Sequence, residues 1–111
     1  MKTQKTIKED IHFRVLRLIE KTPEITQREL AYQLGISLGS VNFCIKSLIE
    51  MGQIKIKNFE RNPHKLDYLY LLTPSGIEKK AKLAANFLKR KLVEYELLKH
   101  EIDSLLQDRE I

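Results

Sequence analysis

The sequence predicts a mostly helical α+β fold, in which three helices and a two-stranded β-hairpin precede one long C-terminal helix. Three observations predict this fold: two closely spaced helix-capping patterns, two stretches of strand-like residues, and a long apolar repeat without a helix breaker. The 111 residues are enough for one modest core. We expect residues 1–73 to form a compact unit and residues 74–111 to form the long helix.

The first helix is predicted over residues 7–21. A proline follows at position 23, and the residue before a proline is disfavoured in the helical conformation, so this helix should end near Thr22. Apolar residues recur along the segment at the spacing of one helix face. The residues of this expected buried face are Ile7, Ile11, Val15, Leu18 and Ile19.

A second, short helix is predicted to begin after Thr26. Thr26 followed by Glu29 forms a capping box, in which the hydroxyl and the carboxylate each satisfy a free backbone N–H group. Ile25 and Leu30 stand at the positions of the matching hydrophobic staple. Gly35 can adopt the left-handed conformation that ends such a helix.

A third helix is predicted over about residues 38–51, with Ser37 as its N-cap and Gly52 after its end. Val41, Ile45, Leu48 and Ile49 form its expected buried face. Only about three residues around a glycine separate this helix from the previous one. That arrangement is a helix-turn-helix.

Two strands are predicted after the third helix. Residues 54–57 alternate apolar and basic, which is the period of a half-buried strand, and residues 68–72 form a second strand. The intervening residues 58–67 are polar and contain Asn-Pro, so we expect a ten-residue loop. Two strands and a basic loop after a helix-turn-helix make a wing, and the predicted fold class is therefore winged helix-turn-helix.

The last helix is predicted from Pro74 to Gln107, with Thr73 as its cap. Its apolar residues alternate between spacings of four and three, with Lys91 as the single polar position, and this heptad repeat is typical of a coiled coil. Such a helix is longer than the compact unit can cover, so we expect a homodimer. The expected dimer contacts are Ile77, Ala81, Ala84, Leu88, Leu92, Tyr95, Leu98, Ile102 and Leu105.

Charge is distributed unevenly along the chain, whose net charge is +5. Residues 1–93 carry 18 Lys and Arg against 9 Asp and Glu, whereas residues 94–111 carry two basic residues against six acidic ones. A basic body indicates a polyanionic partner. Because residues 78–91 are basic and residues 94–110 are acidic, we expect the long helices to pair antiparallel.

The third helix offers the side chains that could contact double-stranded DNA. Small and amide residues near the start of such a helix can reach base edges in the major groove, while the wing can contact the backbone or the minor groove. The start of the second helix can bind a phosphate. The expected DNA contacts are Thr26, Gln27, Arg28, Ser37, Gly39, Ser40, Asn42, Phe43, Lys46, Ser47, Lys57, Arg61, His64 and Lys65. The alternative for the third helix is an ordinary solvated face with Phe43 folded into the core.

Other kinds of site find little support in the sequence. The histidines are scattered without metal-ligand spacing, and no nucleophile stands with a base, so we expect no metal, no cofactor and no catalysis. The single cysteine, Cys44, excludes an intramolecular disulfide and is expected to be a buried structural residue rather than a redox sensor. Neither a membrane span nor a secretory signal is present, so the expected location is cytoplasmic.

The sequence resembles a known family in TQRELAYQLGISLGSVNFCIKSLIEMGQIKIK and in YLYLLTPSGIEKKAK. These segments are similar to the winged-helix regulators of the bacterial MarR family, and most similar to the small subgroup associated with exopolysaccharide gene clusters. The resemblance covers about residues 8–105, and LGIS and LTPSGI are its firmest motifs. It implies a transcriptional regulator whose third helix reads the major groove through Ser40, Asn42, Phe43 and Lys46.

This sequence departs from the family pattern at two places. Typical members have an Asp-Arg pair in the wing, where this chain has His64 and Lys65, so Arg61 is the expected substitute for the minor-groove arginine. Typical members also have a further N-terminal helix that helps to form a pocket for a small molecule. Few residues precede the first helix here, so the resemblance gives little support for an effector pocket, and whether an effector binds stays open.

The sequence as a whole predicts a homodimeric regulator, in its simplest form a repressor, that binds a near-palindromic DNA operator. The alternative is a winged-helix adaptor that binds other proteins without specific DNA binding. An adaptor would need an apolar patch in place of the polar face formed by residues 40–46.

Overall fold

The computed structural model describes residues 3–62 and 65–109, and of residues 59–67 it describes no side chain. The architecture is the predicted one, a mostly helical α+β fold with a winged helix-turn-helix and a long last helix. None of the described helices is long and apolar enough to cross a membrane. The elements in chain order are α1 (Gln4–Lys21), α2 (Gln27–Leu34), α3 (Leu38–Glu50), β1 (Ile54–Asn62), β2 (Lys65–Leu72) and α4 (Pro74–Arg109).

Helix α1 begins three residues earlier than predicted, because Thr3 caps it by accepting a hydrogen bond from the backbone N–H of Thr6. Val15 and Ile19 are fully buried, as expected for the centre of its apolar face. The prediction that Ile7 is buried is wrong, since its side chain is 45% exposed. The reason is its position, where it lines an open cleft between α1 and the start of α3.

The capping patterns of the helix-turn-helix are confirmed. Thr26 and Glu29 form the reciprocal capping box of α2, and Gly35 ends that helix with a φ of 66°. Ser37 caps α3 through a hydrogen bond from the backbone N–H of Ser40. The predicted burial of Ile49 is wrong: its side chain is 37% exposed, because it lies at the edge of the apolar face.

The two strands are longer than predicted. They pair antiparallel from Ile54 opposite Leu72 to Asn62 opposite Lys65, with one irregularity between Glu60 and Asn62. The prediction of a ten-residue loop over residues 58–67 is therefore wrong. In a two-stranded ribbon the ladder needs only backbone groups, so a strand can continue through a polar stretch of sequence.

Helix α4 is anchored to the end of the sheet. The Thr73 hydroxyl donates to the carbonyl of Gly52 and accepts from the backbone N–H of Gly76, which fixes the first turn. Gly76 lies so close to Gln53 that a Cβ at this position would be 1.9 Å from the Gln53 carbonyl oxygen. Only a glycine fits where α4 starts.

The first half of α4 packs antiparallel against α1. Leu83 is buried in the same core as Val15 and Leu48, and the rings of Phe13 and Phe87 lie 4.9 Å apart. Ion pairs join Lys80 to Glu20 and Arg90 to Asp10 along the same contact. The division of the chain into residues 1–73 and 74–111 stays a prediction, while the core draws on both segments.

Candidate DNA-binding and dimer surfaces

Helix α3 has one buried side and one exposed side. Val41, Cys44, Ile45 and Leu48 point into the core. On the other side lie Ser40, Phe43 and Lys46, each three residues from the next, and all three are exposed. The Phe43 ring is 70% exposed, which rules out the interpretation that it folds back into the core. We call Ser40, Phe43 and Lys46 the outer face of α3.

The start of α3 is small and open. Gly39 is exposed, and a Cβ built on it would meet nothing closer than the Ser37 Oγ, at 3.9 Å. The Ser37 hydroxyl both caps the helix and donates to the Ser40 Oγ at 2.9 Å. The protein itself therefore leaves room for another molecule to approach the backbone at this end of α3.

Asn42 lies half-buried beside the outer face and is held by a chain of hydrogen bonds. Its Nδ2 donates to the Gln27 Oε1 at 3.2 Å, and the Gln27 Nε2 donates to the Tyr70 Oη at 3.3 Å. The Gln27 carboxamide, which we expected near a DNA phosphate, is thus turned towards α3 and β2. Tyr70 is the residue that sequence reasoning missed. A signal was present, because a buried tyrosine hydroxyl usually has a polar partner.

Three residues at the start of α2 were expected to contact DNA, and the side chains of two of them, Thr26 and Gln27, are engaged within the protein instead. Arg28 is exposed and free to reach a phosphate. The Thr26 hydroxyl is occupied by the capping box, where it donates to the Glu29 Oε1 at 3.0 Å. Ser47, farther along α3, is half-buried.

The wing contributes exposed cations at its base. Lys55 and Lys57 are exposed on β1, opposite Leu71 and Leu69 of β2. The expected contacts farther along the wing cannot be placed in the same way. His64 lies outside the described residues, and Arg61 and Lys65 belong to the part of the chain whose side chains are not described.

Two titratable side chains are buried behind α3. Burial raises the pKa of the Cys44 thiol from 9.0 to about 11, so the reactive thiolate is scarce near neutral pH. Burial, together with the charges of Lys8 and Lys79, lowers the pKa of His12. Both residues face an open cleft of about 620 Å³ between α1 and α3. The predicted burial of Cys44 is confirmed, since the residue is 4% exposed, while its structural role stays a prediction.

A second surface runs along the far half of α4. Every described residue from Leu92 to Arg109 is exposed, so roughly 27 Å of helix extends beyond the packed core. Of the expected dimer contacts, Ala81 is exposed and Ala84 is half-buried against the core of its own chain. The others are large side chains that are 48–60% exposed, namely Ile77, Leu88, Leu92, Tyr95, Leu98, Ile102 and Leu105. We call these exposed apolar residues the α4 stripe.

The structure changes the charge balance of α4. Lys80 and Arg90 pair with acidic residues of α1, and Lys91 pairs with Glu94 at 3.0 Å and lies over the Phe87 ring. Half of the basic residues that suggested an antiparallel pair are thus engaged within their own chain. Lys82 and Lys89 are exposed, and they leave the near half of α4 basic.

The helix-turn-helix part of this chain matches a known family in sequence. Residues 8–55 match the family model for winged helix-turn-helix DNA-binding domains. That segment contains the capped α2 and α3 described above. This chain has a winged helix-turn-helix domain. None of the curated proteins matches the chain in sequence.

Solved structures extend the likeness to α4. The zinc-dependent MarR-family regulator AdcR, in its Zn(II)-bound state, matches with a TM-score of 0.58 and 22% identity over 80% of this chain. The adhesin competence repressor AdcR of Streptococcus pyogenes matches with a TM-score of 0.64 and 21% identity over 81% of this chain. FabT of Streptococcus pneumoniae, solved in complex with DNA, matches with a TM-score of 0.53 and 20% identity over 89% of this chain and 73% of its own.

At 20–22% identity these matches show that this chain shares the fold of those proteins. This chain spans 58% and 65% of the lengths of the two AdcR structures. The zinc belongs to the first of those proteins. Within residues 3–62 and 65–109 of this chain, no three His, Cys, Asp or Glu side chains are grouped so that they could hold a metal ion. The assignment to the exopolysaccharide-associated subgroup stays a prediction.

Proposed function

We propose that this chain is a homodimeric transcriptional regulator, in its simplest form a repressor, that binds a near-palindromic double-stranded DNA operator. The observation that carries the proposal is the outer face of α3. It presents a small, a flat apolar and a cationic side chain, at helical spacing, on the helix that follows a short turn. This is the helix that enters the major groove in helix-turn-helix proteins.

The side chains of this face, together with Asn42 beside it, match the chemistry of base edges. The exposed Phe43 can contact a thymine methyl group, Lys46 can reach guanine acceptors or a phosphate, and Asn42 can pair with adenine. Lys55 and Lys57 at the base of the wing would add contacts to the backbone. These contacts would make affinity strongly dependent on salt, because each neutralised phosphate releases counterions.

The α4 stripe supports the dimer. Apolar side chains at heptad spacing on a helix that its own core does not cover favour packing against a second copy of that helix. We propose an antiparallel pair, since the acidic far half of one α4 would then face the near half of the other, where Lys82 and Lys89 are exposed. A cysteine introduced by Ala81→Cys would test the orientation. Efficient bridging between two such cysteines would contradict an antiparallel pair.

The proposed activity is binding rather than catalysis, and the proposed location is the cytoplasm, where bacterial DNA is found. No cofactor or small-molecule effector is part of the proposal. The full chain should select a sequence with two related half-sites from a random pool of duplexes. Its affinity for that duplex should fall steeply as salt is raised from 50 to 200 mM, by about a thousandfold if six phosphates are contacted. No preference over the starting pool would contradict the proposal.

One observation favours the alternative of a protein-binding adaptor. Phe43 is exposed beside the cleft between α1 and α3, whose walls include Ile7 and Ile11. An apolar cleft of this kind can accept a side chain of a partner protein. The alternative predicts that Phe43→Ala abolishes partner binding, while Lys46→Ala, which removes a charge outside the cleft, leaves it intact. DNA recognition predicts that both substitutions weaken binding.

A further inference from the structure

Three polar side chains from three separate elements meet beneath the outer face of α3. Tyr70 comes from β2, Gln27 from the first turn of α2, and Asn42 from α3. The carboxamide of Gln27 lies between the other two, with its nitrogen on the Tyr70 hydroxyl and its oxygen on the Asn42 amide. Both ends of the Gln27 side chain are therefore engaged.

The base of this chain of hydrogen bonds is firmly held. Tyr70 is 9% exposed and belongs to the core cluster. Its backbone N–H donates to the Pro23 carbonyl at 2.9 Å, and it stands opposite Ile56 in the sheet. The Tyr70 hydroxyl is thus held in place, and its hydrogen bond with the Gln27 Nε2 positions the Gln27 carboxamide.

Asn42, at the α3 end of this chain of hydrogen bonds, has the chemical groups that recognise one particular base. A carboxamide has two N–H groups and one acceptor oxygen. Asn42 uses one N–H on Gln27, which leaves one N–H and the Oδ1. That donor and that acceptor are the pair that binds the N7 and the N6 amino group of adenine in the major groove.

We propose that Tyr70 and Gln27 are positioning residues, which hold the Asn42 carboxamide in the orientation that reads an adenine. The inference rests on the proposed function. It adds to the residue that contacts the base, Asn42, the two residues that fix its orientation. A side chain held in advance loses less conformational freedom on binding than a mobile one. Removal of the Tyr70 hydroxyl should therefore weaken base discrimination rather than general DNA affinity.

The test measures discrimination at one base pair with the full chain. The duplex selected by the wild type is substituted one base pair at a time, and the position whose preference disappears in Asn42→Ala is the adenine that Asn42 reads. Fluorescence anisotropy then compares that duplex with its guanine variant. The wild type should prefer adenine by about tenfold or more.

Tyr70→Phe should reduce this preference to about threefold or less, with affinity for a random duplex unchanged, and Gln27→Leu should reduce the preference to the same extent. Gln27→Glu should keep the preference, because a carboxylate can accept from both Asn42 and Tyr70, although its charge will weaken binding to every duplex. Tyr68→Phe is the matched control on the same strand, since Tyr68 is exposed, and it should behave as the wild type. In the Asn42→Ala background, Tyr70→Phe should have no further effect on the preference.

A wild-type preference in both Tyr70→Phe and Gln27→Leu would overturn the inference and leave the proposed function standing. A loss of preference in Gln27→Glu equal to that in Gln27→Leu would overturn it as well. A wild type that prefers no base anywhere would overturn the proposed function together with the inference. Thermal unfolding of each variant identifies any that is not folded at the temperature of the binding measurement.

Discussion

At the scale of single residues, Gly39 is the position where the start of α3 leaves the most room. A methyl group there would have one ordinary contact within the chain, with the Ser37 Oγ at 3.9 Å, and would otherwise extend into open space. Gly39→Ala should raise the free energy of unfolding by about 0.5–1 kcal/mol, because alanine is the better helix former. It should weaken binding to the selected duplex about tenfold or more, since the DNA backbone or a base edge would meet the methyl group.

The two measurements on Gly39→Ala are independent of each other. Denaturant unfolding reports the change in stability, and anisotropy reports the change in affinity. A variant that is at least as stable as the wild type and binds the selected duplex equally well would show that DNA does not approach this end of α3.

His12 gives the fold a pH dependence whose sign follows from its burial. Desolvation, Lys8 and Lys79 lower its folded pKa below the 6.5 of an exposed histidine. Below pH 6.5 the unfolded chain therefore binds a proton more readily than the folded one, and stability falls as the pH falls towards the lowered pKa. Above pH 7.5 both states are neutral at this residue, and its effect vanishes.

The loss of unfolding free energy between pH 7.5 and pH 5.5 should be smaller in His12→Gln than in the wild type. His100→Gln is the control, because His100 is exposed on the far half of α4, and it should lose as much as the wild type. Urea unfolding at one fixed protein concentration measures all three. Equal losses in His12→Gln and in the wild type would contradict this account of His12.

Individual residues differed in how well the sequence predicted them. The caps at Thr26 and Ser37 were predictable because each depends on a side chain and a backbone group only three residues apart. The chain from Tyr70 through Gln27 to Asn42 was not, since it joins residues up to 43 positions apart. Such contacts follow from the packing of whole elements, which no local pattern specifies.

At the scale of the elements, the start of α4 depends on one close contact. A side chain at Gly76 would overlap the backbone carbonyl of Gln53, and a backbone group cannot swing away as a side chain can. Gly76→Ala should lower the free energy of unfolding by about 3 kcal/mol. Ala85→Gly, at an exposed position of the same helix, should cost only about 1 kcal/mol. Denaturant unfolding that finds Gly76→Ala no less stable than Ala85→Gly would contradict the contact.

The helices were predicted better than the hairpin, and the reason is physical. A helix end is marked by a cap or a glycine, so the ends of α2 and α3 could be read within about one residue. The ends of β1 and β2 have no such mark. Both strands continue through polar residues, because the ladder of a two-stranded ribbon is made by backbone groups and needs no apolar alternation.

At the scale of the whole molecule, the proposed dimer depends on the exposed far half of α4. Ile102→Glu places a charge in the middle of the α4 stripe and should weaken dimerisation at least a hundredfold, without unfolding the rest of the chain. Ser104→Glu is the matched control, since it adds the same charge about 200° around the helix, away from the stripe. Sedimentation equilibrium measures both. A wild type that is monomeric, or an Ile102→Glu variant that dimerises normally, would contradict the proposed dimer.

The heptad repeat predicts that a second helix packs on α4, but it does not predict which turns of α4 that helix would cover. The repeat includes residues that make contacts within their own chain, since Ala84 packs against the core and Lys91 pairs with Glu94. Sequence periodicity shows which side of a helix is apolar. It does not show which molecule covers each turn.

The central claim is that the outer face of α3, together with Asn42 beside it, reads DNA. The most direct test compares the wild type with the double variant Asn42→Ala/Lys46→Ala on the selected duplex and on a scrambled duplex of the same length. Affinity for the selected duplex should fall about a hundredfold, while affinity for the scrambled duplex changes only a few-fold. If the double variant binds the selected duplex as tightly as the wild type does, α3 is not the recognition helix, and the protein-binding alternative takes its place.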